Sequence, residues 1–347
     1  MRRESSAGAA LARRLYDEHL AAAVAVPHAA ALLGWGSDVL GYDDERSQDH
    51  GFGPRLQIFV DAADVPAVAD AVERALPDAV DGHPTRFGWD DVPVAHRAYV
   101  TTLAEWLELR LGFDATAGVS TLDWLLTPEQ RLLEATAGAV FADDGRLTAV
   151  RDALAWYPDD LWYWILAAQW RRIAQEEAFP GRAAERGDEL GSRLVAARLV
   201  RDLAGLCFLL ERRYAPYAKW FGTAFAELDA AAEVGPPLEA VLAATAWSER
   251  EDALVAAYEA VARRQAALTP GPEPRVRPYF TRPFRVIGGD RFAEACLERV
   301  ADPELRVLPL VGAVDQVAGS SDVLHPLRWR SLAVLYPGIT AAEPAEG

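Results

Sequence analysis

The sequence has few of the residues that build disulfide frameworks or cysteine metal sites, and no long apolar run. Its two cysteines, Cys207 and Cys296, both fall in apolar helical patterns, so we expect reduced, buried thiols. Charged residues such as Arg13 and Asp17 interrupt the N-terminal segment, which excludes a signal peptide. The apolar run at 20–33 contains a proline and is too short to span a bilayer. We therefore expect a cytoplasmic protein.

Positive charge is also scarce. The 347 residues include 35 Lys and Arg against 52 Asp and Glu, which gives a net charge of −17. A field of this sign repels phosphate backbones and anionic lipids, so we predict no nucleic-acid partner and no membrane partner. A small anion can still bind in a local basic pocket. Lys219 is the only lysine, which indicates either a compositional bias toward arginine or a site that needs a compact ammonium group.

The standard signatures of several enzyme classes are missing. The chain has no G-x-x-x-x-G-K followed by Ser or Thr, no H-E-x-x-H and no G-x-S-x-G. Gly34-x-Gly36 lacks the third glycine of a dinucleotide-binding turn, and the 6 histidines have no metal-ligand spacing. Hydride transfer, zinc-dependent hydrolysis and serine hydrolysis are therefore disfavoured.

The distribution of patterns along the chain predicts an α+β fold. Buried-strand patterns near 30–33, 55–60 and 94–101 are mixed with helical patterns near 5–23 and 64–76, without a regular βαβ repeat. From Ser120 onward the periodicity is helical. The predicted domains are a mixed-sheet α+β domain at 1–118, a helical domain at 119–270 and a mostly helical extension at 271–347.

The segment 32–60 has the residue types that phosphate chemistry needs. An apolar run ends in Gly36-Ser37, an acidic loop follows, and Asp49 precedes the next predicted strand. A glycine lets the backbone approach a phosphate, and a serine hydroxyl with exposed amides can hold its oxygens. A carboxylate can hold Mg²⁺, which bridges those oxygens and neutralises developing charge. The segment therefore favours phosphate binding beside a metal-binding carboxylate.

This arrangement resembles the nucleotidyltransferase superfamily that includes polymerase β and the antibiotic nucleotidyltransferases. Its signature places Gly-Ser or Ser-Ser at a strand end and D-x-D or D-x-E about ten residues later. Here Gly36-Ser37 is followed by 11 residues and then by Asp49-His50-Gly51. The chain is most similar to an uncharacterised nucleotidyltransferase-like domain family, in which this stretch looks like D-H-D-x-G-P. The helical segments 125–141 and 156–225 resemble the same family.

The resemblance implies Mg²⁺-dependent transfer of a nucleotidyl group from an NTP to a small-molecule acceptor, in a cleft between the domains. Gly36 and Ser37 would then hold phosphate, and Asp49 would hold the metal. Gly51 replaces the second metal carboxylate, which weakens two-metal clamping of the attacking and leaving oxygens. Two alternatives stay open: a non-catalytic nucleotide- or metabolite-binding protein on a degenerate nucleotidyltransferase fold, and a small-molecule transferase or ligase of another class that reuses the cleft. The acceptor substrate, the preferred nucleobase and the oligomeric state stay open as well.

Polar residues of the helical part supply further candidates. By analogy with small-molecule nucleotidyltransferases, Glu176 is a candidate general base for an acceptor hydroxyl. Arg198 can meet a phosphate, or form an i,i+4 surface pair with Asp202. The ammonium of Lys219 can meet a phosphate or a substrate carboxylate. The structural alternative for these polar residues is a helix end, a solvated loop or aromatic core packing. The predicted substrate-binding residues of this part are Gln175, Arg182, Arg198, Arg201, Asp202, Tyr217 and Lys219.

Overall fold

The computed structural model describes residues 6–48, 51–320, 324 and 327–339. Asp49, the predicted metal ligand, lies outside these residues. The chain divides into two compact units, which are described separately below. Unit 1 comprises Met1–Val119 and Glu129–Ala155, and unit 2 comprises Ser120–Pro128 and Trp156–Gly347.

The strands are short and the helices are long. The strands are β1 (Ala29–Leu32), β2 (Leu56–Phe59), β3 (Ala79–Val80), β4 (His83–Pro84), β5 (Arg86–Trp89), β6 (Val92–His96), β7 (Ala98–Thr101), β8 (Ala139–Ala142), β9 (Arg277–Pro278) and β10 (Arg285–Val286). The helices are α1 (Ala7–Leu15), α2 (Ser37–Leu40), α3 (Val65–Ala75), α4 (Leu103–Leu111), α5 (Thr121–Leu126), α6 (Glu129–Thr136), α7 (Arg146–Ala153), α8 (Asp159–Glu176), α9 (Phe179–Glu185), α10 (Glu189–Leu210), α11 (Ala218–Phe225), α12 (Ala231–Ala243), α13 (Trp247–Leu268), α14 (Gly289–Leu297), α15 (Pro303–Val307) and α16 (Val314–Val317).

Unit 1 is built on a mixed sheet with the strand order β7-β2-β1-β8. Strand β1 runs antiparallel to β2 and β8, whereas β2 runs parallel to β7. All four residues of β1 are buried, and the core beside the sheet includes Leu15, Ile58 and Val72. The predicted α+β class with a mixed sheet is confirmed. Because β1 is antiparallel to β2, the chain leaves β1 at the edge where β2 and β7 begin.

Strand β8 lies in a segment for which the sequence predicted only helices. Residues 129–155 belong to unit 1, whereas the sequence placed them in the domain at 119–270. The reason is pairing between distant segments, because Ala31 on β1 is opposite Val140 on β8. The backbones approach closely at Gly138, where a Cβ atom would lie 2.1 Å from the carbonyl oxygen of Leu32.

The extended segment predicted near 94–101 is two strands rather than one. Strands β5 and β6 form an antiparallel hairpin, and β7 joins the main sheet beside β2. Arg97 lies between β6 and β7, at the point where the chain passes from the hairpin into the sheet.

Unit 2 is mainly helical, as predicted. Helix α8 packs against α10 and α14, and α10 also packs against α12 and α13. Trp170 on α8 is fully buried and stacks on Phe292 of α14, with ring centroids 4.5 Å apart. Asp188 accepts a hydrogen bond from the amide of Gly191 and begins α10. A side chain at Gly191 would overlap the Asp188 carboxylate, so capping explains this helical glycine.

The C-terminal part of unit 2 combines helices with a small sheet. Strands β9 and β10 pair antiparallel, and α14, α15 and α16 follow. A 3-10 helix covers Leu327–Leu335. Among the described residues, the helices lack the combination of length and apolarity that a bilayer span requires.

Candidate functional site

The predicted phosphate-binding residues form a tight turn between β1 and α2 in unit 1. Gly34 and Gly36 have φ values of 93° and 131°, a region that side chains rarely tolerate. Ser37 is the first residue of α2 and is half-buried. The amide of Gly34 donates a hydrogen bond of 2.8 Å to the carbonyl oxygen of Glu134. The turn is therefore held against α6, and its glycines leave the backbone of Trp35 and Ser37 uncovered by side chains at 34 and 36.

A buried ion pair lies directly behind this turn. Nη2 of Arg55 is 2.6 Å from Oδ1 of Asp38, and both side chains are at most 7% exposed. The same Nη2 donates a hydrogen bond of 2.7 Å to the carbonyl oxygen of Trp35, and the guanidinium lies over the Trp35 ring. A Cβ atom on Gly36 would lie 2.2 Å from Oδ1 of Asp38. The turn therefore requires glycine at 36 for packing as well as for conformation.

A second buried arginine begins the neighbouring strand. Leu56 pairs with Ala98, so Arg55 and Arg97 precede adjacent parallel strands at the edge where β1 ends. Arg97 is 7% exposed, and its Nη2 donates to the carbonyl oxygens of Phe87 (3.0 Å) and Pro93 (2.5 Å). Its Nη1 donates to the hydroxyl of Tyr99, and its buried Nε has no acceptor within the described part of the chain.

The described residues do not fit a two-metal centre. A Cβ atom on Gly51 would lie 2.4 Å from Cη2 of Trp35, so an indole ring fills the space in which a carboxylate at 51 would begin. Asp38 binds Arg55, as described above, and Asp43 accepts a hydrogen bond of 3.0 Å from the amide of Gly8. Within the described part of the chain, no group of three His, Cys, Asp or Glu side chains could hold a metal ion.

Nearby carboxylates are engaged in local structure instead. Asp44 accepts hydrogen bonds from the amide and the hydroxyl of Ser47, and these bonds lower the pKa of its carboxyl. The ring of Trp35 contacts that of Trp89 on β5, with centroids 5.3 Å apart. The described residues 51–53 of the loop that was expected to bind metal therefore pack against the aromatic rings of Trp35 and Phe87.

The predicted general base in unit 2 has an arginine partner. Oε1 of Glu176 is 2.7 Å from Nη2 of Arg198, and Oε2 is buried with no hydrogen-bond partner in the residues that the structure describes. Gln175 is exposed on the same helix, and Arg182 binds Glu185 on α9. The structure therefore brings Glu176 and Arg198 together and engages Arg182 elsewhere.

The remaining predicted residues of unit 2 do not form one cluster. Asp202 is buried and lies 3.2 Å from Arg172, so the i,i+4 pair with Arg198 considered from the sequence is not formed. The guanidinium of Arg201 lies 4.8 Å from the centre of the Phe221 ring. Lys219 is exposed, with Nζ 4.9 Å from the centre of the Trp220 ring. Tyr217 is 41% exposed, and partial burial raises the pKa of its phenol.

Sequence reasoning missed the buried neighbour of Glu176. Burial raises the pKa of Glu177 to about 7, although amides at the start of α14 donate to its carboxylate, among them that of Gly288 at 2.9 Å. The hydroxyl of Tyr258 is fully buried and lacks a hydrogen-bond partner in the described ranges, and burial and the charge of Glu177 raise its pKa. The helical spacing of four from buried Ile173 is the signal that identifies Glu177, rather than Glu176, as the inward-facing glutamate.

Comparison with known proteins finds similarity in the helical part of the chain. Residues 124–221 match a family described as a domain of unknown function (DUF4037). This match falls on the region in which the sequence resembles an uncharacterised domain family, and it does not include the turn at Gly36 or the loop at Gly51. No curated protein matches the chain significantly.

One solved structure similar to this chain is that of a nucleotidyltransferase-like protein from Exiguobacterium sibiricum. The two sequences are 14% identical, and the alignment covers 75% of this chain and 76% of that chain. The TM-score is 0.33. Similarity at this level identifies neither a substrate nor a reaction.

Proposed function

We propose that this protein binds a nucleotide through its phosphates at the turn formed by residues 34–37. The observation that carries the proposal is the conformation of this turn, in which two glycines with positive φ flank Trp35 and lead into Ser37. Backbone amides and a hydroxyl in such a turn can surround phosphate oxygens on the Gly34 side, where no described atom lies within 4 Å of a Cβ position, whereas Asp38 and Arg55 fill the space beside Gly36. The bonds to Glu134 and Arg55 described above hold the turn in place, which lowers the entropy cost of binding.

Binding rather than two-metal chemistry is what this geometry supports best. The carboxylates Asp38, Asp43 and Asp44 are engaged by an arginine, a backbone amide and a serine. The ring of Trp35 lies where a side chain at 51 would begin. These observations favour the reading of the chain as a degenerate nucleotidyltransferase-like protein that keeps the phosphate-binding turn.

Nucleoside triphosphates are expected to raise the unfolding temperature of the protein in the presence of EDTA. A ligand at a hundred times its dissociation constant stabilises the folded state by about 2.7 kcal/mol, which corresponds to a few degrees for units of this size. Thermal unfolding with each nucleotide, with and without Mg²⁺, measures the shift. Ser37→Ala is expected to reduce it, whereas Ser47→Ala, a serine bound to Asp44, should leave it unchanged. The absence of a shift with every nucleotide would refute the proposal.

Nucleotidyl transfer is a second candidate function, and the observation that favours it is the environment of the Glu176 carboxylate. One carboxylate oxygen of Glu176 binds Arg198, and the other, which has no hydrogen-bond partner among the described residues, is able to accept a proton from an acceptor hydroxyl. In this candidate function Asp49 would hold a single Mg²⁺, which would supply charge neutralisation at the phosphates. Lys219, which is exposed, meets a phosphate or a carboxylate of the small-molecule acceptor.

Gly51→Asp is expected to destabilise the protein by about 1–3 kcal/mol, because its Cβ atom overlaps the Trp35 ring in a packed loop. The double variant Gly51→Asp/Trp35→Ala removes the overlap, but it keeps a side chain at φ 65° and loses the contacts of the Trp35 ring with Arg55 and Trp89, so we expect it to remain less stable than the wild type. Urea unfolding measures the first effect, and Mg²⁺-dependent pyrophosphate release from NTPs tests transfer by each variant. If the protein transfers nucleotidyl groups, the double variant should release more pyrophosphate than Trp35→Ala alone. Glu176→Gln should release less pyrophosphate than the wild type. Equal release from all of these proteins would exclude this candidate.

A further inference from the structure

We propose that Arg97 supplies positive charge that attracts a phosphate ligand at this edge of the sheet, acting across the ring of Trp89 rather than by direct contact. This inference rests on the proposed nucleotide binding and assigns a residue and a ligand chemistry to it. The ligand is a phosphoanion, with inorganic pyrophosphate as the minimal form and a nucleoside triphosphate as the full one. Its recognition depends on a fixed guanidinium rather than on divalent metal.

The two arginines at this edge differ in their charge balance. Arg55 has Asp38 as a buried counter-ion at 2.6 Å. Arg97 is equally buried, but among the described residues its guanidinium donates only to neutral oxygens, those of Phe87, Pro93 and Tyr99. None of the ion pairs formed by residues 6–48 and 51–320 includes Arg97, and its Nε has no acceptor.

An unbalanced buried charge is costly for the free protein. Removing a guanidinium from water is costly, and hydrogen bonds to neutral acceptors together with contacts to the Phe87 and Trp89 rings recover only part of that cost. An anion bound nearby offsets the rest, since charges attract more strongly where water is excluded. The protein as a whole carries a net charge of −17, so a locally unbalanced cation marks the sheet edge as a place where an anion is favoured.

Aromatic contacts connect Arg97 to the phosphate-binding turn. Its guanidinium lies 4.9 Å from the centre of the Trp89 ring and 5.8 Å from that of Phe87, both on β5. Trp89 in turn contacts Trp35, the residue between the two glycines of the turn. Arg97 is therefore separated from the turn by a single ring. Arg55, on the adjacent strand, binds the carbonyl oxygen of Trp35 directly.

A purely structural role for Arg97 makes different predictions. Its hydrogen bonds to Phe87 and Pro93 attach the β5–β6 hairpin to the start of β7. If that were its only role, replacement would lower the stability of the protein with and without an anion by the same amount. The stabilisation that an anion produces would then be unchanged. The two roles are therefore distinguished by the anion-induced shift rather than by stability itself.

The test measures thermal unfolding with sodium pyrophosphate and with ATP, in EDTA and at constant ionic strength. The wild-type protein is expected to be stabilised by both. In Arg97→Met the apparent Kd for pyrophosphate should rise by roughly tenfold or more, because the buried counter-charge is lost. Arg97→Lys keeps the charge without the planar guanidinium and is expected to give an intermediate loss. Arg86→Met is the matched control, since Arg86 is an exposed arginine of the same hairpin that binds Glu73.

Each outcome separates this inference from the proposed function. An unchanged shift in both Arg97 variants, with a normal shift in the wild type, would overturn the role of Arg97 and leave nucleotide binding standing. If stabilisation of the wild type requires Mg²⁺ and is unchanged in the Arg97 variants, the positive charge that attracts the phosphate would be assigned to the metal ion instead. If pyrophosphate stabilises the protein and no nucleotide does, the proposal of nucleotide binding would be refuted, and the proposed anion site would stand. If Arg97→Met fails to fold, Arg97→Lys decides between the outcomes.

Discussion

Asp38→Ala is expected to lower the free energy of unfolding of unit 1 by about 3–5 kcal/mol. The substitution leaves Arg55 buried at 7% side-chain exposure without its counter-ion. It also removes the Oδ1 acceptor of the Val39 amide at the start of α2. Urea unfolding, followed by tryptophan fluorescence because Trp35 lies under the Arg55 guanidinium, measures the loss.

A double variant separates the unpaired charge from the loss of packing. Asp38→Ala/Arg55→Met removes both charges, and we expect it to recover much of the stability, since uncharged partners of similar shape often replace buried ion pairs at little cost. Asp152→Ala, an exposed aspartate of α7 in the same unit, is the matched control and should change stability by no more than about 0.5 kcal/mol. An Asp38→Ala protein as stable as this control would contradict the assigned importance of the pair.

The fold class could be predicted from the sequence, whereas β8 could not. The apolar runs around Ala31 and Ile58 have the local signature of buried strands. Residues 139–142 form a strand only because they pair with β1, which lies more than a hundred residues earlier in the chain. A four-residue apolar segment between two helices carries no local signal that separates it from the end of a helix. The sequence pattern therefore assigned it to the helical domain.

The candidate site was predicted in part for a similar reason. The glycines and the serine of the turn have a local signal, and the structure places them in a turn. Asp38, Arg55 and Arg97 have no local signal of burial, because burial of such residues is rare and depends on which strands become neighbours. The parallel pairing of β2 with β7 places the two arginines at one edge, and no spacing within the sequence encodes that register.

Gly36→Ala is expected to destabilise unit 1 by several kcal/mol and to abolish nucleotide-induced stabilisation. At φ 131° and ψ 149°, residue 36 occupies a region essentially reserved for glycine, where a side chain costs about 1–3 kcal/mol. The new Cβ atom would also lie 2.4 Å from Nη2 of Arg55 and closer still to Asp38, and such overpacking adds about 1–3 kcal/mol. Urea unfolding and the nucleotide-induced thermal shift measure the two effects.

Gly34→Ala is the matched control, because the chain offers a second glycine of positive φ in the same turn. A Cβ atom on Gly34 would have no neighbour within 4 Å, so this variant carries the conformational cost without the overlap. We therefore expect it to lose less stability than Gly36→Ala and to keep the Asp38–Arg55 pair. Equal losses in the two variants would show that conformation alone requires glycine in the turn. A larger loss of stability for Gly36→Ala assigns the difference to overlap with the Asp38–Arg55 ion pair. In that case the ion pair both holds the turn in place and prevents a side chain at position 36.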